Sequence, residues 1–253
     1  MATYKEKVGT AVQNIAGEDG VVTGQLWYDS SDSEFKYKYQ AYGNAWSTTN
    51  SLNTARRNLA GAGTQTSALA FGGGGPPYEA VTESWNGSSW TEVNDLNTAK
   101  RFAPGCGADN TSALSIAGDT PPVTANTESW NGTNWTEVNN LNTARRQLSA
   151  AGVVPSALAF GGENPGTTNL DITELWNGTN WTEVNDLNQA RYNLAGAGAN
   201  NTAALAFGGY NTSVGAALAD TENWNGTNWT DVADLNTAKF NAGGVGTNTA
   251  ALV

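Results

Sequence analysis

The chain has no histidine and only one cysteine, Cys106, in 253 residues. Without an imidazole, neither a Ser-His-Asp nor a Cys-His arrangement for nucleophilic catalysis can be assembled. One cysteine excludes an internal disulfide. With no histidine to activate it, Cys106 is expected to be a small buried residue of a β-strand. Basic residues are scarce: 12 Lys and Arg stand against 23 Asp and Glu, a net charge of −11. Such a surface repels a polyanion, so nucleic acid is not an expected partner. No run approaches the ~18 apolar residues of a membrane span, and no membrane insertion is expected. Met1 to Glu6 has no long apolar segment after its charges, so no signal peptide is expected and synthesis takes place in a cytoplasm. Charged residues make up 14% and hydrophobic residues 39%, a globular balance rather than a disordered one.

What is abundant is glycine, with 30 residues, and Asn and Thr recur between short apolar runs. That is turn chemistry at close intervals, which favours many short strands. Four segments align: Trp85-Asn-Gly-Ser-Ser-Trp90-Thr-Glu-Val, Trp130-Asn-Gly-Thr-Asn-Trp135-Thr-Glu-Val, Trp176-Asn-Gly-Thr-Asn-Trp181-Thr-Glu-Val and Trp224-Asn-Gly-Thr-Asn-Trp229-Thr-Asp-Val. Trp46 precedes them in phase, and the steps 46, 90, 135, 181 and 229 are 44, 45, 46 and 48 residues long. A period of this length fits one four-stranded unit per repeat.

Within each period the spacing predicts four strands. The first is small and apolar, as in Leu59-Ala-Gly-Ala-Gly63 and Leu194-Ala-Gly-Ala-Gly198. The second is Ser67-Ala-Leu-Ala-Phe-Gly-Gly73, with counterparts ending at Gly118, Gly162 and Gly209. The third carries Glu-x-Trp, as in Glu83-Ser84-Trp85, and the fourth begins at the second Trp. Asn-Gly between third and fourth predicts a short hairpin, because both residues tolerate positive φ. Small residues let inner strands crowd together, and Trp fills the widening space farther out.

A di-Gly after an apolar strand, Glu-x-Trp, a turn, a second Trp and a downstream basic residue together resemble the Kelch repeat, over about residues 46–253. The resemblance implies an all-β fold, a Kelch-like β-propeller. Ile116-Ala117-Gly118 departs from the pattern, with Ala for the first Gly, and is expected to weaken its unit locally. The last repeat stops after a first strand in 240–246 and a second in 249–253. Residues 34–40 and 45–50 supply a third and a fourth. Joining the ends gives five four-stranded blades, one of them shared between N- and C-terminal strands, with no open sheet edge. Six blades remain open if the chain continues past Val253. Trp27 does not fit the phase, and 24–29 is expected to form an extra strand hairpinned to 34–40. Residues 1–23 read as an N-terminal arm for docking and 24–253 as the propeller.

Every Lys or Arg beyond residue 38 lies in Asn-x-Ala-[Arg/Lys] or directly after it: Arg56, Arg57, Lys100, Arg101, Arg145, Arg146, Arg191 and Lys239. Such a ring of cations either grips an anionic ligand or pairs with the repeated acids Glu83, Glu128, Glu174 and Glu222. A group present once per unit is expected to be structural. Arg56, Arg101, Arg145 and Arg191 are therefore assigned to the frame, with Trp85, Trp90, Trp130, Trp135, Trp176, Trp181, Trp224 and Trp229. Glu92, Glu137, Glu183 and Asp231 are expected to point outward on the last strands. Copper-dependent oxidases with Kelch-like propellers bind metal through His and Tyr, and the missing histidine breaks that correspondence. No catalytic residue, metal or cofactor is expected. The Asn-x-Ser/Thr sequons are read as hairpin composition.

The loops between second and third strands differ while the frame repeats: 74–80, 119–125, 163–170 and 210–219. Loops on a rigid frame are where recognition is expected. Tyr78, Glu79, Asn164, Tyr210 and Asn211 are the candidate binding residues. The near-identical repeats and Gly24-Gln-Leu-Trp-Tyr-Asp29 resemble structural proteins of tailed bacteriophages, whose appendages carry similar hairpins and Kelch-like arrays. That resemblance implies a virion location, with other virion proteins or a host-surface receptor as partners and homo-oligomerisation open. The alternatives are a cytosolic Kelch interaction module, for which 1–23 is short as an adaptor, and an extracellular carbohydrate-binding propeller, for which no export signal is seen.

Overall fold

The computed structural model describes residues 13–15, 26–29, 31, 33–37 and 48–253, and all regular structure among them is β-strand. Contacts divide the chain into Met1–Thr48 and Thr49–Val253. The expected boundary at 23/24 falls inside the first unit. Most of the expected arm, and residues 38–47, lie outside the described residues.

In the first unit, β1 (Gln13–Ile15), β2 (Leu26–Asp29) and β3 (Glu34–Tyr37) form a sheet in that order. β2 and β3 pair antiparallel, Leu26 with Tyr37 and Asp29 with Glu34, which is the expected extra hairpin. β1 adds in parallel to β2. A strand has two edges, and β2 takes one of β3. Residues 34–37 therefore cannot also lie between two other strands, as the expected third strand of a shared blade would.

The second unit holds four antiparallel four-stranded sheets. The first comprises β4 (Ala60–Thr64), β5 (Ser67–Phe71), β6 (Thr82–Trp85) and β7 (Trp90–Val93), and the second β8 (Gly105–Asp109), β9 (Ser112–Asp119), β10 (Val123–Trp130) and β11 (Trp135–Val138). The third comprises β12 (Ser149–Val153), β13 (Ser156–Phe160), β14 (Thr173–Trp176) and β15 (Trp181–Val184). In the fourth, β16 (Ala195–Asn200) and β17 (Ala203–Phe207) are followed by the hairpin β18 (Tyr210–Asn211) and β19 (Ala216–Ala217), then β20 (Thr221–Trp224) and β21 (Trp229–Asp231). β22 (Val245–Thr247) and β23 (Ala250–Leu252) make a further two-stranded sheet. Each complete sheet follows the four-strand order read from the repeat, an arrangement compatible with a propeller.

Adjacent sheets pack face to face. Phe71 meets Trp135 edge-on at 4.8 Å, and Phe160 meets Trp229 at 5.0 Å. Each of these second Trp residues buries its ring against the preceding sheet and donates Nε1–H to a threonine there. Trp135 reaches Thr82 Oγ1 at 3.0 Å, Trp181 reaches Thr127 at 3.2 Å and Trp229 reaches Thr173 at 2.9 Å. A buried indole N–H needs such a partner. Trp85, Trp130, Trp176 and Trp224 instead donate to carbonyls at the first hairpin, those of Gln65, Asn110, Val154 and Asn201.

The expected Asn-Gly hairpins join the third and fourth strands of every complete sheet. Trp85 pairs with Trp90, leaving a four-residue loop in which Gly87 has φ 92° and Asn86 keeps an ordinary φ. Asn86 acts through its side chain, whose Oδ1 accepts the N–H groups of Ser88 and Ser89, both at 2.9 Å. This Asx turn recurs at Asn131, Asn177 and Asn225. The irregular Ala117 has φ 55°, the left-handed region that Gly72, Gly161 and Gly208 occupy elsewhere. The frame imposes the conformation on a residue disfavoured there by about 1–2 kcal/mol.

Candidate functional site

The buried charges form one latch per sheet. Glu83 is fully buried and accepts Asn53 N–H at 2.6 Å, Thr54 N–H at 3.3 Å and Arg56 Nη1 at 3.0 Å. Glu174 takes Asn142 N–H at 2.8 Å and faces Arg145 Nη2 at 3.2 Å, and Glu222 takes Asn188 N–H and Arg191 Nη2, both at 2.8 Å. A repeated carboxylate thus ties the connector entering each sheet to its third strand, and the guanidinium offsets the buried charge. Burial pushes Arg145 down to about 10 despite Glu174, lowers Arg191 and raises Glu222.

Arg101 is not part of this series, which corrects the expectation for it. Lys100 occupies the latch in the second sheet, its Nζ 3.4 Å from Glu128 Oε1. Arg101, one residue on, turns to the loop face and pairs with Asp119 at 3.1 Å. Successive residues of an extended segment face opposite ways, so a doubled basic residue divides its roles. Arg146 likewise turns out to Glu163 at 2.9 Å and Asp119 at 3.5 Å. Glu92, Glu137, Glu183 and Asp231 are exposed, directly across from the latch carboxylates.

The variable loops and the basic connectors share one face. Gly73 N–H donates to Lys100 O, Gly74 N–H to Arg57 O, Gly118 N–H to Arg145 O and Gly162 N–H to Arg191 O. Most candidate binding residues shape that face. Tyr78 donates its hydroxyl to Asp119 at 3.2 Å, beneath the Arg101 guanidinium at 4.7 Å. The Glu79 backbone is held by Gly73 and Lys100. Asn164 Oδ1 accepts Thr168 N–H within its own turn. Asn211 is buried, donating to Ala190 O and accepting from Ser213 and Val214. Tyr210 is different: half-buried, it packs edge-on between Tyr192 at 5.7 Å and Phe240 at 5.5 Å.

Sequence reasoning passed over the centre of the face. Asn58, Phe102, Gln147, Asn193 and Asn241 all adopt left-handed φ between 52° and 56°. Each donates its N–H to the carbonyl of the previous one, from 102 to 58, 147 to 102, 193 to 147 and 241 to 193, at 2.8–3.1 Å. These residues and the strand starts after them line one cavity of about 690 Å³, with no charged side chain in its wall among the described residues. The available signal was their position, a residue of another kind between the cation and the small apolar strand.

No protein-family model matches the chain, and no curated protein matches its sequence. Among the described residues no group of three His, Cys, Asp or Glu side chains is placed to hold a metal ion.

Proposed function

We propose that the chain is a non-enzymatic Kelch-type β-propeller carried on a tailed-bacteriophage particle, binding a virion neighbour or a host-surface receptor through its loop face. The observation that carries the binding reading is the contrast on that face. Four sheets repeat the same latches and Trp contacts, while the loops above them differ in length and sequence. The carboxylates and cations that could do acid–base chemistry recur once per sheet in ion pairs, a structural use. The particle assignment rests on the near-identical repeats and on Gly24–Asp29, of which Leu26–Asp29 forms a hairpin with Glu34–Tyr37.

The propeller has five blades in this reading, four complete and one begun by β22–β23. Five equivalent segments, starting at Asn58, Phe102, Gln147, Asn193 and Asn241, line the one cavity, which supports that count. β22–β23 leave Val245 and Leu252 exposed, beside an edge that is unpaired among the described residues. By phase, Trp46 aligns with Trp90, and the fourth strand expected over 45–50 lies largely outside the described residues.

Mass spectrometry of purified particles tests the location: the chain is found at stoichiometric copy number, and its absence overturns the assignment. Replacing the four loops with Gly-Ser connectors of equal length, with the fold checked by circular dichroism, tests the face. Loss of incorporation or of host adsorption is expected. Survival of both, with loss on mutation of Asn131 and Asn177, would move the contact to the hairpin face.

A further inference from the structure

The residue that precedes each segment of the cavity wall changes character from sheet to sheet. Directly before the five left-handed residues stand Arg57, Arg101, Arg146, Tyr192 and Phe240. Arg101 and Arg146 are neutralised by Asp119 and Glu163, which bridge to them from the ends of the second strands. At the same bridged position of the fourth sheet both charged partners are replaced together, and Tyr192 faces Tyr210. Phe240 adds a third ring against Tyr210 and is 46% exposed. The bridge forms with an ion pair or with two rings, so the frame does not require an exposed aromatic cluster at this point.

The cavity wall, one residue along the chain from Tyr192 and Phe240, offers unused hydrogen-bonding groups. Among the described residues, the side-chain amides of Asn58, Gln147, Asn193 and Asn241 have no partner within the protein. The left-handed backbone favours asparagine, which accounts for three of the four amides. Gln147 and Phe102 gain nothing from that preference and still occupy the same conformation.

We infer that Tyr192, Tyr210 and Phe240, with the amides of Asn193 and Asn241, bind a neutral saccharide at the mouth of the cavity. A sugar ring presents an apolar C–H face, which covers an aromatic ring, and hydroxyls that both donate and accept. An amide meets those hydroxyls with an acceptor oxygen and two donor hydrogens. Among the described residues no charged side chain lines the cavity, Arg101 and Arg146 are already paired, which leaves Arg57 as the one cation of this series without an ion pair, and the net charge of −11 opposes an anionic sugar. A quaternary ammonium ion would use the rings and leave the amides without a role. The cavity of about 690 Å³ lies within the range of small-ligand sites. The inference rests on the loop-face reading above and names the chemistry of what that face recognises.

Saturation-transfer NMR on the full chain tests it, with glucose, galactose, mannose, N-acetylglucosamine and lactose as probes, and N-acetylneuraminic acid and choline as charged comparisons. At least one neutral sugar receives saturation, strongest on the protons of one ring face. Phe240→Ala, and Asn193→Gly, which keeps the left-handed backbone, each weaken it by about fivefold or more, which is about 1 kcal/mol or more. Thr91→Ala, on an exposed outer strand, does not. Absence of transfer to every neutral sugar, or binding indifferent to both variants, overturns the inference. Choline binding that Phe240→Ala abolishes, with no sugar bound, overturns it in favour of a cation site. The same variants in particles separate this claim from the broader one. If Phe240→Ala blocks adsorption and no sugar binds, the saccharide inference fails and the loop-face reading holds. If a sugar binds in a Phe240-dependent way and particles lack the chain, the phage assignment fails and the saccharide site stands.

Discussion

A side chain at Gly105 would collide with Phe71: its Cβ would stand 2.6 Å from Cζ of that ring, which belongs to the adjoining sheet. The relation recurs between Gly196 and Phe160 at 2.6 Å and between Gly244 and Phe207 at 2.8 Å. In the remaining complete interface both members change, with Ile116 and Ala150 in one core cluster. A shorter knob leaves room for a methyl group. Neighbouring sheets are therefore fitted to one another, although each repeats one pattern.

Gly105→Ala should cost about 1–3 kcal/mol in urea denaturation, because the ring and the Gly61 carbonyl both resist the added methyl group. Combined with Phe71→Ile, which reproduces the Ile116–Ala150 pair, it should cost markedly less than the two single changes added together. Simple additivity would show that the interface does not select its residues jointly.

Lys100→Arg should stabilise the protein by about 1 kcal/mol. Lys100 Nζ stands 3.4 Å from Glu128 and 3.5 Å from Ser115 O, whereas Arg191 reaches Glu222 at 2.8 Å and also bonds Asp220 O. Glu128 Oε1 and Ser115 Oγ have no hydrogen-bond partner. The planar fork should reach the carboxylate and a carbonyl together. A lower denaturation midpoint in Lys100→Arg would mean that the second sheet cannot admit the larger group.

Cys106 should stay unmodified by iodoacetamide at pH 8 until the protein unfolds. Burial raises its thiol from 9.0 to about 12, so the reactive thiolate is absent from the native state. The raised folded value fixes the sign of the linkage. The contribution is fully present below pH 9 and is lost as pH rises toward about 12, because the unfolded chain ionises first. Wild type should therefore lose stability in that window relative to Cys106→Ala by up to about 1.4 kcal/mol per pH unit. Ala is the residue at the matching positions 62, 151 and 197, so the substitution follows the repeat. Parallel alkaline curves for the two proteins would contradict this.

Deleting residues 240–253 should cause aggregation or a large fall in melting temperature. The fourth sheet would lose its neighbour over Phe207 and Ala195, and β16 would present an unpaired face. Trp46→Ala should destabilise as strongly as Trp135→Ala, by about 3–5 kcal/mol, if the fourth strand expected over 45–50 completes the fifth blade. A truncated chain that melts like the full one, or a neutral Trp46→Ala, would remove the proposed closure.

The four-stranded sheets were legible in the sequence because identity and spacing recur together. Ser-Ala-Leu-Ala-Phe became β5 and β13, and every Trp-Thr-Glu-Val opened a last strand. The latch acids could be paired with basic residues in advance, since a buried carboxylate demands a cation. Which residue of Lys100-Arg101 turned inward could not, because both have the right chemistry and only the backbone direction chooses. The variable loops stood out as variable, yet Tyr78, Asn164 and Asn211 proved to hold them in shape. Composition alone does not distinguish a side chain engaged by its own loop from one left exposed.

By itself the sequence determined the fold class, the strand order within each unit and the absence of histidine and disulfide chemistry, because these follow from local pattern and residue inventory. Only the tertiary structure decided that Asn58, Phe102, Gln147, Asn193 and Asn241 meet around one cavity, and that Tyr192, Tyr210 and Phe240 gather into one ring cluster. The mouth residues lie about one repeat apart in the chain, and no local preference reports which positions of separate sheets share a wall. Sheet-on-sheet packing brings them together, and the cavity exists only as its product.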